Sequence, residues 1–196
     1  MGIRKRERAL ELTLFNGFGV WLDGQPLGGF SYNTMRALLA YLAVEPPRDH
    51  RREFLAELLW EGQDPATARG NLRRVLSDLR RAIEVPSGKS LFIAGKQSLC
   101  FIPDLSVDVF NFARPLSACD MQSEQHCTAC LTEMEQTAGI YRGEFLQGFA
   151  LPGCYAFGEW LLLQRETLHR HALALFERLA KCHERLGNYA GALPFA

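Results

Sequence analysis

"DPATARGNLRRVLSDLRRAIE", residues 64–84, is the stretch on which the fold turns. Asp64 followed by Pro65 reads as an N-cap with proline at the first helical position, so a helix starts here and runs to the breaker Val85-Pro86-Ser87-Gly88. Projected at roughly 100° per residue, Leu72, Val75, Leu76, Leu79 and Ile83 share one direction, a normal buried stripe. Gly70, Arg74, Ser77 and Arg81 point away from that stripe, and Arg69, Arg73 and Arg80 lie along one shoulder. The exposed surface is therefore a basic band with a small residue near its N-terminal end. A helix laid in a DNA major groove has this form, with guanidinium groups reaching guanine edges or phosphates. The plain alternative is a solvated arginine face paired with acids, but only Asp78 and Glu84 lie close by, and Asp78 falls on the opposite shoulder.

The chain as a whole is electrically neutral, with 22 Lys+Arg against 22 Asp+Glu in 196 residues. Neutrality does not exclude a nucleic-acid partner, because association follows the local field and the counterions released.

Outward from the arginine helix, the chain changes period several times. From Glu11 to Phe30, Leu12, Leu14, Phe18, Val20 and Leu22 are broken by Asn16-Gly17, Asp23-Gly24 and Gly28-Gly29, the pattern of a small antiparallel sheet. "NTMRALLAYLAVEPP" places Met35, Leu38, Leu39 and Leu42 at helical spacing before Pro46-Pro47, and a second helix starts at about Arg51. After the arginine helix, "SLFIA" and "SLCFI" flank Gly95-Lys96-Gln97 and read as a hairpin, residues 90–102. Sheet, helix, helix, basic helix and hairpin is the order of a winged helix-turn-helix behind an N-terminal sheet.

Pro103-Asp104 marks a boundary. Beyond it "DVFNFARPLSA", "CTACLTEMEQTAGIY" and "YAFGEWLLLQRETLHRHALALFERLAKCHERLG" are helical by spacing. "LGNYAGALPFA" begins a further helix, as though an array of helix pairs continued. The expected division is a tail at 1–9, a winged helix at 10–103 and a helical-repeat module at 104–196 that stops inside its array.

Several residues raise other chemistries. Cys119, His126, Cys127 and Cys130 have the types and part of the spacing of a zinc site, but there is no second Cys-x-x-Cys, and cysteines one helical turn apart pack well as small apolar residues. Thioredoxin-like use of that pair would want a βαβ context, which is missing. His169 and His171 stand two apart and face different sides of a helix. Phe145, Phe149, Phe157, Trp160, Leu161 and Phe176 are spaced as a helical core. "GFGVWLDGQPLGG" leads into strand, not a helix N-terminus, so it is no phosphate loop. No nucleophile with a base and no paired carboxylates stand out, so no enzyme and no cofactor are expected. The six cysteines are too few for a disulfide scaffold, and neither a long apolar run nor a secretory signal is present. The reading is cytoplasmic, without a membrane partner.

"RALLAYLAVEPPRDHRREFLAELLWEGQDPATARGNLRRVLSDLRRAI" resembles the OmpR-like winged helix of the SARP-type activators, including Leu-Trp before the loop and Ala-Arg-x-Asn-Leu-Arg-Arg at the start of the recognition helix. "DVFNF", "YRGEFLQGF" and "FGEWLLLQRETLHRHALALFERLA" resemble the bacterial transcriptional activator domain, a TPR-like module. The resemblance covers roughly residues 10–196. It implies a sequence-specific regulator of transcription that binds double-stranded DNA. Its helical half would contact a second copy, RNA polymerase or further domains. Carried over by position, Gly70, Arg73, Arg74, Ser77 and Arg80 take the base- or phosphate-facing places, with Arg69 and Arg81 beside them and Lys96 as the wing contact; Asn71 ranks lower. The hairpin "LFIAGKQSLCFI" lacks the Arg-Gly-Gly-Tyr common in the wing of antibiotic regulators, so antibiotic-pathway control is not implied. Two rivals stay open: a scaffold whose basic band meets an acidic protein, and a metal or redox sensor acting through Cys119, Cys127 and Cys130.

Overall fold

The computed structural model describes residues 9–102, 104–113 and 124–195. Strands β1 (Leu10–Thr13), β2 (Gly19–Leu22) and β3 (Gln25–Pro26) form the expected antiparallel meander, with Leu12 opposite Val20. Helices α1 (Asn33–Val44), α2 (Arg52–Leu59) and α3 (Pro65–Leu79) follow. Of the alternating residues, Leu12, Leu14 and Val20 are buried, with Leu10 beside them, in one core with Met35, Leu38, Leu39 and Leu42 of α1, while Phe18 and Leu22 are half-buried at its edge.

Helix α3 begins as the sequence indicates. The Asp64 carboxylate accepts from the Thr67 amide at 2.9 Å, with Pro65 at the first position. Leu72, Val75, Leu76, Leu79 and Ile83 are all buried. Its far end differs from expectation: the α-helical pattern gives way at Arg80–Glu84 to one π-helical turn, and the short helix α4 (Val85–Ser87) follows. Pro86 is no breaker, because it sits in the first turn of α4, where no amide is required. The chain turns instead at Gly88, at φ +71°, a left-handed conformation that glycine adopts without a Cβ clash.

The wing is the hairpin β5 (Phe92–Ala94) and β6 (Ser98–Phe101), closed by the Gly95 amide donating to the Ser98 carbonyl at 3.0 Å. A strand absent from the sequence reading, β4 (Asp49–Arg51), pairs antiparallel with β6, His50 opposite Leu99. It ties the entry of α2 to the wing.

The second half is helical: α5 (Asp108–Ala113), α6 (Glu124–Ala138), α7 (Tyr155–Arg185) and α8 (Tyr189–Ala192). It also contributes a two-residue strand, β7 (Ser106–Val107), which pairs in parallel with β1, so the first sheet runs β3-β2-β1-β7. The two halves share one core, in which Phe15 packs edge-on against Phe112 and Tyr141. Phe145, Phe157 and Leu161 are buried, and Phe149, Trp160 and Phe176 pack half-buried against them, as a helical core requires. Among the described residues, no helix is long and apolar enough to cross a membrane.

Candidate nucleic-acid interface

Among the described residues, one face of α3 is left exposed. Arg69, Gly70, Arg73, Arg74 and Ser77 are exposed along it. Because the opposite stripe is buried, the helix cannot rotate to hide them, and their long side chains project from a fixed axis. None of these arginines is in an ion pair among the described residues. A Cβ built on Gly70 meets nothing within 4 Å. The glycine is therefore not demanded by any neighbour in the fold, although glycine within a helix costs about 1 kcal/mol relative to alanine.

The two arginines at the end of the band differ. Arg81 forms a short ion pair with Asp78, and Arg80 Nε lies 3.9 Å from Glu84. Asp78 also accepts from the Tyr32 hydroxyl at 2.7 Å. That hydrogen bond and the Arg81 guanidinium hold the Asp78 carboxyl below its ordinary range, while partial burial and the Asp78 partner push the Tyr32 phenol up to about 12. Helical projection put Asp78 on the shoulder away from Arg69, Arg73 and Arg80, but one turn is enough for it to engage Arg81. Asn71 is half-buried and donates to Gln63 at 3.2 Å, so it serves the loop before α3.

Lys96 is exposed at the wing tip, on the same side as the N-terminal half of α3. Arg51, Arg52, Arg69, Arg73 and Lys96 line one hollow of about 390 Å³ between α3, the entry of α2 and the hairpin. Arg51 and Arg52 were not singled out from sequence. The pairing of β4 with β6 and the packing of α2 on α3 carry them to the arginine band, and no local periodicity reports that pairing.

The other sequence candidates resolve differently. Cys119 lies outside the described residues, as do the side chains of His126 and Cys127; Cys130 is half-buried. His169 and His171 are exposed, with His169 Nδ1 3.4 Å from the Tyr141 hydroxyl. Cys154 is buried at the junction of the two halves, its thiol donating to the Leu59 carbonyl at 3.2 Å and its pKa raised by burial.

No family model matches the chain, and neither does any curated protein sequence. Among solved structures the fold is similar to Mycobacterium tuberculosis EmbR, in a structure described as a complex with a low affinity phosphopeptide, with a TM-score of 0.68 at 17% sequence identity. The match covers 96% of this chain, which spans 58% of the EmbR chain. At that identity the likeness is one of fold: this chain has a sheet and winged-helix-like helices followed by a helical region, in the arrangement of the corresponding part of EmbR.

Proposed function

We propose that this chain is a sequence-specific DNA-binding regulator of transcription. Helix α3 enters the major groove, and the wing hairpin lies along the neighbouring backbone. The observation that carries the reading is the row of exposed, unpaired arginines on α3 around an unobstructed Gly70. Arg73, Arg74 and Ser77 face base edges, Gly70 lets the groove wall approach, and Arg69 and Lys96 meet phosphates. Arg80 and Arg81, already engaged by Glu84 and Asp78, add backbone contacts at the far end. The similarity to the SARP-type activators supports the same assignment, with residues 10–103 reading DNA in the cytoplasm. In this reading residues 104–196, a TPR-like module, bring together two copies of the chain or join it to RNA polymerase or further domains. Pairing two copies would add half-site contacts that one small module lacks. The reading involves no catalytic step and no cofactor.

Selection of bound duplexes from random DNA tests this directly and should yield a defined site. On that site Arg73→Ala and Arg74→Ala should each lower affinity by about 1 to 3 kcal/mol and relax the base preference at one position. A folded double variant with undiminished affinity overturns the assignment. Absence of any salt-dependent binding to duplex DNA at low ionic strength would favour an acidic protein partner instead.

A further inference from the structure

The hollow between the wing, α2 and α3 has features that reading base edges does not require. Five cations from separate parts of the chain line it: Arg51 and Arg52 at the β4–α2 junction, Arg69 and Arg73 on α3, and Lys96 on the hairpin, with Glu53 as the one carboxylate on its wall. None of the five is in an ion pair among the described residues. Five like charges held together beside a single carboxylate repel, and the repulsion is relieved when an anion enters. The Arg52 Nε is buried and has no hydrogen-bond partner among the described residues, a donor left to be met by a ligand. The start of α2 has no side-chain cap, so the first-turn amides after that of Arg52, which is bonded to Gln97, add a favourable field for negative charge. The walls are also fixed: the Arg52 amide donates to the Gln97 carbonyl at 2.9 Å, and β4 is paired to β6 through Asp49, His50 and Arg51.

We infer that this hollow is the seat of a single phosphate oxyanion, supplied by the backbone of the bound duplex, gripped at once by the wing, the entry of α2 and α3. The inference rests on the DNA-binding reading above and adds a division of labour to it. Arg74 and Ser77 read sequence, as does Arg73 from the rim of the hollow. Arg52 is a positioning residue for the docked complex, since a phosphate held at the meeting point of three elements sets how deep and in what register α3 lies in the groove. Only a group with several acceptor oxygens can answer donors arriving from three directions, which favours phosphate over a side-chain carboxylate.

The experiment compares the full chain with Arg52→Gln and with Lys96→Gln, the latter at an exposed tip where folding is not at stake. Affinity for the selected duplex and for an unrelated duplex is measured across a salt series. One phosphate contact contributes a slope of about 0.9 in log K against log salt. Arg52→Gln should therefore flatten the slope by about that amount on both duplexes and weaken both by a similar factor, leaving the ranking of sequences intact. Lys96→Gln should do the same to a smaller degree. Among methylphosphonates placed singly along the selected duplex, one position per bound chain should weaken the wild type clearly more than Arg52→Gln, since part of its partner is already lost there, while the other phosphate contacts weaken both alike. Unchanged slopes in both variants, or a methylphosphonate scan with no such position, overturns the phosphate seat while DNA binding itself stands. A wild type that binds no duplex overturns the reading of function and the backbone source together. In that case, inorganic phosphate protecting the wild type against thermal unfolding, but not Arg52→Gln, would show an oxyanion seat serving a phosphorylated ligand other than DNA.

Discussion

Gly70 is a residue whose chemistry is clearer from what surrounds it than from what it does. It stands mid-helix with open space on its Cβ side and an ordinary helical backbone, so Gly70→Ala should stabilise the fold by about 0.5 to 1 kcal/mol. The same methyl enters the space assigned to the groove wall, so affinity for the selected duplex should fall. Denaturant titration beside a binding isotherm reads both; a variant that is stabilised and binds normally would remove Gly70 from the interface. Asp78 offers the opposite trade. Replacing it with Asn releases Arg81 and weakens the tie to Tyr32, at a cost of about 1 kcal/mol in stability. Non-specific DNA affinity should rise and its salt dependence steepen, because a cation once engaged within the protein becomes available to phosphate; a flat response in the salt series would show that Arg81 stays away from DNA. Gly70 and the arginines were legible from sequence because a helix repeats every 3.6 residues and its two faces can be told apart by composition alone. The loss of Arg81 to Asp78 was not, since whether an i,i+3 pair forms depends on rotamers and on Tyr32, which arrives from 46 residues away.

At the scale of elements, strand β4, like the two-residue β7, is a piece that sequence reading omitted. Asp49-His50-Arg51 has no alternation long enough to register and follows two prolines; it is a strand because β6 offers it a ladder. His50 is its buried residue, 4% exposed, with its ring edge-on to Tyr41 at 5.7 Å. Burial, with Arg48 nearby, holds its pKa below the ordinary 6.5. A base whose pKa is depressed by folding binds its proton more readily in the unfolded chain. Its contribution to stability is therefore present above pH 6.5 and is lost as pH falls through the lower folded value. The thermal midpoint of the wild type should drop more steeply than that of His50→Gln as pH is taken from 7.5 to 5. Parallel pH profiles would show that His50 does not carry this dependence. The start of α3 and the hairpin were readable, through Asp64-Pro65 and Gly95-Lys96-Gln97. The π-helical turn at Arg80–Glu84 was not, because nothing in "RRAIE" breaks the helical period.

At the scale of the molecule, the two halves are joined by more than a linker. The start of α7 is docked onto the winged helix: Trp160 Nε1 donates to Glu45 at 2.9 Å, the Ala156 amide donates to Glu61 at 3.1 Å, and the Trp160 ring meets Tyr41 at 5.1 Å. On the other side, the Leu14 and Phe15 amides donate to the half-buried Asp108 carboxylate at the head of α5, and the Leu146 amide donates to the Leu14 carbonyl at 2.7 Å. Trp160→Ala should cost about 2 to 3 kcal/mol, less than a fully buried aromatic because the ring is half-exposed. If the halves are one cooperative unit, probes in each should report the same shifted transition. Two separated transitions in wild type would show that the junction is not cooperative. The sequence pointed to a break at Pro103-Asp104, where composition and period change. The contacts that span it come from one two-residue strand, single carbonyls and the carboxylates of Glu45, Glu61 and Asp108, none of which has a periodic signature.

The shared first sheet bears on how the protein's specificity can be altered. Because β7 and the Asp108 carboxylate complete a sheet that begins at Leu10, cutting the chain after the wing and splicing in another reader would leave a strand edge and several amides without partners. Retargeting belongs on the outward row of α3, by exchanging side chains in place, where the buried stripe beneath is indifferent to what stands above it. On the proposed reading, a regulator assembled this way accepts new addresses by point substitution and resists being rebuilt from interchangeable cassettes.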